Sequence, residues 1–427
     1  MNQGAVYLGR IYTPQAGGGW LELSRGALAV DRRGHIDDIG PAGELLSRCR
    51  GRTVVDFGEQ LIVPGLVDCH QHLCHFDWYR LIADAMVWLK TIYELESRFN
   101  EPEYAWSTAR RFFDALRRNG TTTVCVHGPY FAEALDIAFE EARSSGLRVI
   151  MGLNAGDRDL PAPLCRPAAE SVADSVALHE RWDGAEGGRL GYCFTVRPPY
   201  CSSPDLLAGM ADAARLAGAR VQSHLAEDYN GQRMILDLFP GSGSDSEVFD
   251  GHGVLGDRTI MAHAIYLQPG DLELLAARQI SVAHCPRANL LAGGQQANVM
   301  ALRSSGIKTG LGTDLGGGKG MSMFKLMEDA LKVSPEFSVH DLMRMATLDG
   351  AVVLGLESDV GSLEIAKAAD FIVTRPPLLE GSDEVDIDTL LANLIFCGGP
   401  EVVRHVVVNG VSVGEGAARE GVIGRPR

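Results

Sequence analysis

Eight short apolar runs, at residues 61–70, 121–127, 148–154, 190–197, 220–225, 259–265, 280–284 and 308–313, alternate with longer stretches of helical character. Near-continuous apolar strands spaced by helices are what a parallel sheet covered on both faces requires. The helical stretches carry matching punctuation: Glu101 to Asn119 stops at Gly120, and Ser203 to Ala217 opens on Ser-Pro and stops at Gly218. Eight such repeats predict a closed (β/α)8 TIM-type barrel with its reactive groups at the carboxyl ends of the strands. A doubly wound open sheet is the rival. Ligand-type residues favour the barrel, because His70, His224, His263, His284 and Asp314 end runs one, five, six, seven and eight, and only closure sets run eight beside run one.

A barrel of this kind takes about 250 residues, which leaves part of a 427-residue chain for a second unit. Both ends have the texture of hairpins: Ala5 to Gly9, Ala27 to Val30 and Thr53 to Asp56 at the start, Asp370 to Thr374 and Val402 to Val408 at the finish, the last followed by the turn pair Asn409-Gly410. The two ends are expected to pair into a small composite β-sandwich of residues 1–60 and 362–427 around a barrel of residues 61–361. The Gly/Ser-rich stretch opening at Pro240 and continuing to 253 reads as a mobile loop over the barrel mouth.

With 39 basic and 55 acidic residues the net charge is -16, which argues against nucleic acid or polyphosphate held by bulk electrostatics. The nine cysteines are scattered, with no Cys-x-x-Cys pair, a usage that fits buried thiols in a reducing compartment. No apolar run approaches the ~20 residues of a membrane helix, and the first residues lack the organisation of a signal peptide. A soluble, cytoplasmic protein with no membrane partner is expected.

Chemistry concentrates at His70-Gln71-His72. Imidazoles at i and i+2 on a strand face the same way, which makes a clamp for a metal ion. Gln222-Ser223-His224-Leu225-Ala226-Glu227 and Leu311-Gly312-Thr313-Asp314 supply further ligand-type residues where later strands pass into loops.

Together these segments resemble the amidohydrolase superfamily, in its cytosine deaminase, guanine deaminase and triazine hydrolase branch. The resemblance rests on Pro64-Gly65-Leu66-Val67-Asp68-x-His70-x-His72, Ser223-His224-x-x-Glu227, His263, His284-Cys285-Pro286, Gly312-Thr313-Asp314 and the later Gly361 to Phe371. Val196-Arg197-Pro198, Trp88-Leu89 and Ile280 to Leu290 look most like guanine deaminases, while Gln71 and Leu73 look equally like triazine hydrolases. The resemblance implies one divalent metal ion, Zn2+ or alternatively Fe2+, held by His70, His72, His224 and Asp314. Run four, Leu190 to Tyr200, has no lysine to bridge a second metal.

By the same resemblance Glu227 is the proton shuttle, His263 stabilises the tetrahedral adduct, and Asp314 both ligates and accepts a proton. Arg197, His75, Trp88 and His224 face the substrate. His284 is equally a structural or a catalytic residue, and His127 packs behind the site. Two positions depart from the guanine deaminase pattern: His75 stands where a glutamine is usual, and Ala288 stands for the serine before Asn289. The activity implied is hydrolytic deamination of an amino-substituted heterocycle, guanine or a related purine or pterin, by a homodimer. The alternatives are an s-triazine amino- or chlorohydrolase and a non-catalytic scaffold.

Overall fold

The computed structural model describes residues 4–77, 85–291, 293–317, 320–377 and 385–414, with the side chains of the helix Ala85–Arg98 from Lys90 onward. In chain order the strands are β1 (Ala5–Pro14), β2 (Trp20–Val30), β3 (Ile36–Pro41), β4 (Thr53–Pro64), β5 (Leu66–His72), β6 (Thr121–His127), β7 (Arg148–Gly152), β8 (Asn154–Ala155), β9 (Leu190–Val196), β10 (Arg220–Leu225), β11 (Thr259–His263), β12 (Ser281–His284), β13 (Lys308–Leu311), β14 (Phe371–Thr374), β15 (Val403–Val408) and β16 (Val411–Ser412).

Strands β5, β6, β7, β9, β10, β11, β12 and β13 lie side by side in that order, all parallel, with β8 paired to β9. Every residue of β5, β6, β7, β9, β11 and β12 is buried, which is why these runs show no polar alternation. The seam closes between β13 and β5. There Asp314 N–H donates to the His70 carbonyl at 3.1 Å, and Thr313 donates to the Asp68 carboxylate from its N–H at 2.9 Å and its hydroxyl at 2.5 Å. A Cβ on Gly312 would lie 2.7 Å from His70 Cβ, so only glycine admits this approach.

The helices stop and start where the sequence places them. Leu206 N–H donates to Ser203 Oγ at 3.2 Å to cap Pro204–Ala217, and Gly218 ends that helix with φ +63°. Among the described residues no helix is long and apolar enough to cross a membrane.

The two chain ends pair as expected, in one seven-stranded sheet of order β16-β15-β14-β4-β1-β2-β3. Its β1–β4 pair is parallel and the rest antiparallel. The apolar run 61–70 proves to be two strands: Leu61 to Val63 pair with β14 as the end of β4, and the barrel begins at Leu66. Gly65 is the change-over, where a Cβ would lie 2.0 Å from the Thr122 hydroxyl. Asp370 ties the two units together: its carboxylate accepts from Arg148 Nε at 3.2 Å and Asn409 N–H at 2.6 Å, and its carbonyl accepts from Gly65 N–H at 3.0 Å.

One expectation is corrected. Residues 240–244 are irregular chain, but the stretch does not run on as a loop to 253, for Asp245–Gly251 is a helix whose N-cap Ser244 accepts from Glu247 N–H. Ser244 also donates to Asp271 at 2.5 Å, and the buried Asp245 carboxylate accepts from Ala226 N–H at 2.6 Å. Ser244 here serves as a helix cap.

Candidate active site

The strand ends bring together most of the residues singled out in the sequence. His70 and His72 close β5, His224 sits near the end of β10, His263 ends β11, and Asp314 follows β13. His72 Nε2 and His224 Nε2 lie 3.1 Å apart, and Asp314 Oδ1 is 3.4 Å from both His70 Nε2 and His72 Nε2. Within His70/His72/His224 and within His70/His263/Asp314, the candidate ligand atoms all lie inside 4.8 Å of one another. Ligands 2.0–2.1 Å from a tetrahedral ion stand roughly 3.3 Å apart, the spacing found here, and three imidazoles with a carboxylate are donors that zinc accepts. His70 Nε2 is buried and bonds no protein group, which leaves its lone pair for an ion. The residues fit a single divalent metal.

Protonation states suit that role. Burial, with the neighbouring imidazoles adding, pushes His72 and His224 well below the ordinary histidine range, so both are neutral donors. Burial would raise Asp314, but contact with His70 and the charge of His263 hold its carboxyl below the usual value.

The supports come from all round the site. Gln71 Oε1 accepts from Leu315 N–H at 2.9 Å while its amide donates to Thr313 Oγ1 at 2.5 Å, bracing the turn that carries Asp314. His263 Nδ1 meets Asn289 Oδ1 at 2.9 Å, which turns Nε2 toward Glu227 Oε1 at 3.6 Å and Asp314 Oδ2 at 3.7 Å. Four non-glycine residues hold left-handed backbone here: Ala226 (φ 49°), His263 (φ 76°), Ala264 (φ 55°) and Asp314 (φ 47°). Each such conformation costs on the order of 1–3 kcal/mol, strain characteristic of functional sites.

Glu227 is the one partly exposed member, with 32% of its side chain accessible. Loss of hydration lifts its carboxyl above the ordinary range against the pull of His263. Burial would lower His263, but Glu227 and then Asp314 raise it. A carboxyl raised by burial beside an imidazole raised by that carboxyl is the kind of perturbed pair that general acid–base sites use.

The substrate-facing candidates divide. Arg197 follows β9, is 8% exposed and forms no ion pair among the described residues. Trp88 falls on the helix Ala85–Arg98, but its side chain lies outside the described residues. His75 has both ring nitrogens engaged, Nδ1 with the Leu315 carbonyl at 3.1 Å and Nε2 with Glu96 Oε1 at 3.2 Å. Direct reading of a substrate by His75 would break one of these bonds. The His127 ring centroid lies 4.6–4.9 Å from those of His70, His72 and His224. His284 is fully buried, bonds no protein group through its ring, and is pushed by burial to about 3; its carbonyl accepts from Gly312 N–H at 2.9 Å. The sequence reading missed Glu96 and the buried Tyr130 altogether.

The comparisons with known proteins agree with this geometry. Residues 61–413 match the model of the amidohydrolase family. A probable guanine deaminase of Deinococcus radiodurans is 33% identical over 373 residues, 83% of each chain. The guanine deaminase of Escherichia coli is 33% identical over 333 residues, covering 76% of this chain and 75% of that one. The solved structure of the E. coli guanine deaminase superimposes with a TM-score of 0.91 at 28% identity, over 96% of this chain and 99% of that chain. With the barrel, the donor set and these matches in place, the chain belongs to the amidohydrolase family.

Proposed function

We propose that this amidohydrolase is a metal-dependent aminohydrolase that removes the exocyclic amine of guanine, or of a closely related purine or pterin, and releases ammonia. The observation that carries the reading is the convergence of His70, His72, His224 and Asp314 on one point with Glu227 and His263 beside it. Guanine deaminases among the relatives support the choice of ring.

In the reaction, water adds to the carbon that bears the amine, one proton passes to the ring nitrogen and another to the amine, and ammonia leaves. A divalent ion, taken as zinc, would be held by His70, His72, His224 and Asp314 and would supply a water of lowered pKa. Glu227 takes and returns protons, because burial raises its carboxyl and it lies 3.6 Å from His263. His263, fixed by Asn289, donates from Nε2 to the oxygen that gains charge as water adds. Asp314 accepts a proton from the attacking water. Arg197 offers paired donors to a ring carbonyl or nitrogen.

We also take residues 1–60 and 362–427 as a composite sheet domain and 61–361 as the catalytic domain, a division supported by the strand pairing with its junction moved to Gly65. A reducing cytoplasm is supported by nine cysteines that are all free. Assembly as a homodimer rests on the family resemblance.

The test is ammonia release by zinc-loaded protein across guanine, 8-oxoguanine, isoxanthopterin, cytosine, adenine and melamine. Turnover of guanine that Glu227→Gln abolishes is the expected result. Chloride or alkylamine release from s-triazines, with silence on purines, would replace the reading.

A further inference from the structure

Glu227 follows a residue whose backbone needs outside support. Strand β10 pairs with β11 as far as Leu225 opposite His263, and the next residue, Ala226, turns the chain through a left-handed conformation at φ 49°. That conformation is strained for a residue with a Cβ and persists only where the surroundings impose it. An alanine side chain makes no hydrogen bond with which to impose it. On the carbonyl side the hold comes from the end of β11: Ile265 N–H and Tyr266 N–H donate to the Ala226 carbonyl at 3.1 and 2.9 Å, and Ala264 N–H donates to the Leu225 carbonyl at 2.9 Å.

On the amide side the hold comes from a side chain. Ala226 N–H donates to Asp245 Oδ2 at 2.6 Å, across 19 residues of sequence. Ala226 is 1% exposed and Asp245 2%, so loss of that carboxylate strands a buried N–H, which is costly. An acidic residue in the first turn of a helix ordinarily complements that helix's own N–H groups. Asp245 instead reaches off the helix Asp245–Gly251 into a small recess that it shares with His224, Ala226, Glu227 and Gln232. Gln232, from the helix Tyr229–Leu238, adds a side-chain bond to it. The mount is firm: Ser244 accepts from Glu247 N–H at 3.2 Å and donates to Asp271 at 2.5 Å, while Val248 and Phe249 are buried. The Glu227 carboxyl, by contrast, lies 3.6 Å from His263 Nε2, beyond hydrogen-bond reach. That contact does not fix it, and its aim depends on the backbone that carries it.

We propose that Asp245 is a positioning residue for the proton shuttle: by holding the Ala226 N–H it fixes the left-handed turn that aims Glu227 at the reacting atoms. The proposal deepens the deaminase reading and rests on it.

Wild type, Asp245→Ala and Asp245→Asn are compared as zinc-loaded proteins, alone and in a Glu227→Gln background, each checked for zinc content and thermal melting. Removing a residue that orients a reacting group costs about 10- to 100-fold. Asp245→Ala is therefore expected to lower kcat for ammonia release from guanine by about that factor, with KM and zinc content unchanged. Asp245→Asn, which keeps an oxygen for the Ala226 N–H, recovers most of the loss. In the Glu227→Gln background Asp245→Ala costs little more, because the group it positions has gone. A loss that multiplies with that of Glu227→Gln, a loss of zinc or an unchanged kcat overturns the proposal, as does an Asp245→Asn no better than Asp245→Ala. If Asp245→Ala does not fold, Asp245→Ser, whose shorter side chain does not reach Ala226, takes its place with the same expectations. Crystal structures of wild type and variants give a readout that needs no turnover: Glu227 is expected to leave its place beside His263 in Asp245→Ala and to keep it in Asp245→Asn. If wild type releases no ammonia from guanine or the other rings, the deaminase reading itself fails. The crystal structures then decide the proposal alone, and an unmoved Glu227 in Asp245→Ala overturns it.

Discussion

Two sets of buried polar groups in this molecule are built on different rules. On the metal wall, formed by the ends of β5, β10, β11 and β13, the polar groups point at one another across 3.1–3.7 Å and are braced from behind by Gln71, Asp68, Thr313 and Asn289. Elsewhere in the interior, Glu96, Tyr130, Asn154 and Arg197 each keep a buried polar atom without a hydrogen-bond partner. The first set is complete once a small ion of fixed geometry is supplied. The second holds polar atoms that no described group satisfies.

The largest effect should come from the reacting group beside the metal wall. Glu227→Gln is expected to lower kcat about 10²- to 10⁴-fold with metal content unchanged, measured by ammonia release and metal analysis. A loss of metal would place Glu227 among the ligands instead.

The bracing of the metal wall can be probed through pH. Burial raises the Asp245 carboxyl from 3.8 to about 6, the bond from Gln232 opposing. The folded protein therefore holds a proton there that the unfolded chain releases between these values. Stability contributed by this group is present below about pH 4 and declines as pH rises toward 6, by up to ~3 kcal/mol at 1.36 kcal/mol per unit. Asp245→Asn keeps an oxygen for Ala226 N–H and is expected to flatten that decline; the difference between the two urea-midpoint curves from pH 4 to 7 is the measurement. Parallel curves would mean that Asp245 titrates normally.

Arg197→Met tests the second set. It should reduce kcat/KM by about 10- to 100-fold, chiefly through KM, leaving zinc affinity untouched. A fall in metal affinity would show that Arg197 supports the metal ligands. The smallest effect expected is for Asn289→Ala, which frees the His263 ring: about 10-fold in kcat, with little change in KM.

Much of the metal wall is legible in the sequence for a physical reason. A barrel fixes the direction of every strand end, so a histidine or aspartate closing an apolar run is already aimed at the common axis. His70, His72, His224, His263 and Asp314 needed only that rule. Glu96 obeys no such rule. It sits two residues from Glu94, which is exposed, on a helix whose pattern gives no sign of which carboxylate turns inward. The split of residues 61–70 at Gly65 is equally silent, because apolar character continues unbroken while the chain passes from one sheet to another. Stretch 240–253 misleads by composition: serine and glycine mark flexible chain and helix caps alike.

The bond from Arg148 to Asp370 spans 222 residues, and it sets an order of events during synthesis. Asp370 also holds Gly65 and Asn409, so the floor of the barrel is latched by a residue translated after all eight barrel strands. A nascent chain halted before that point would carry β4 with its β14 edge bare, although its metal ligands had already been made. Pocket formation and fastening of the surrounding structure are thus events at different moments, and a ribosome that pauses late tests the second without the first.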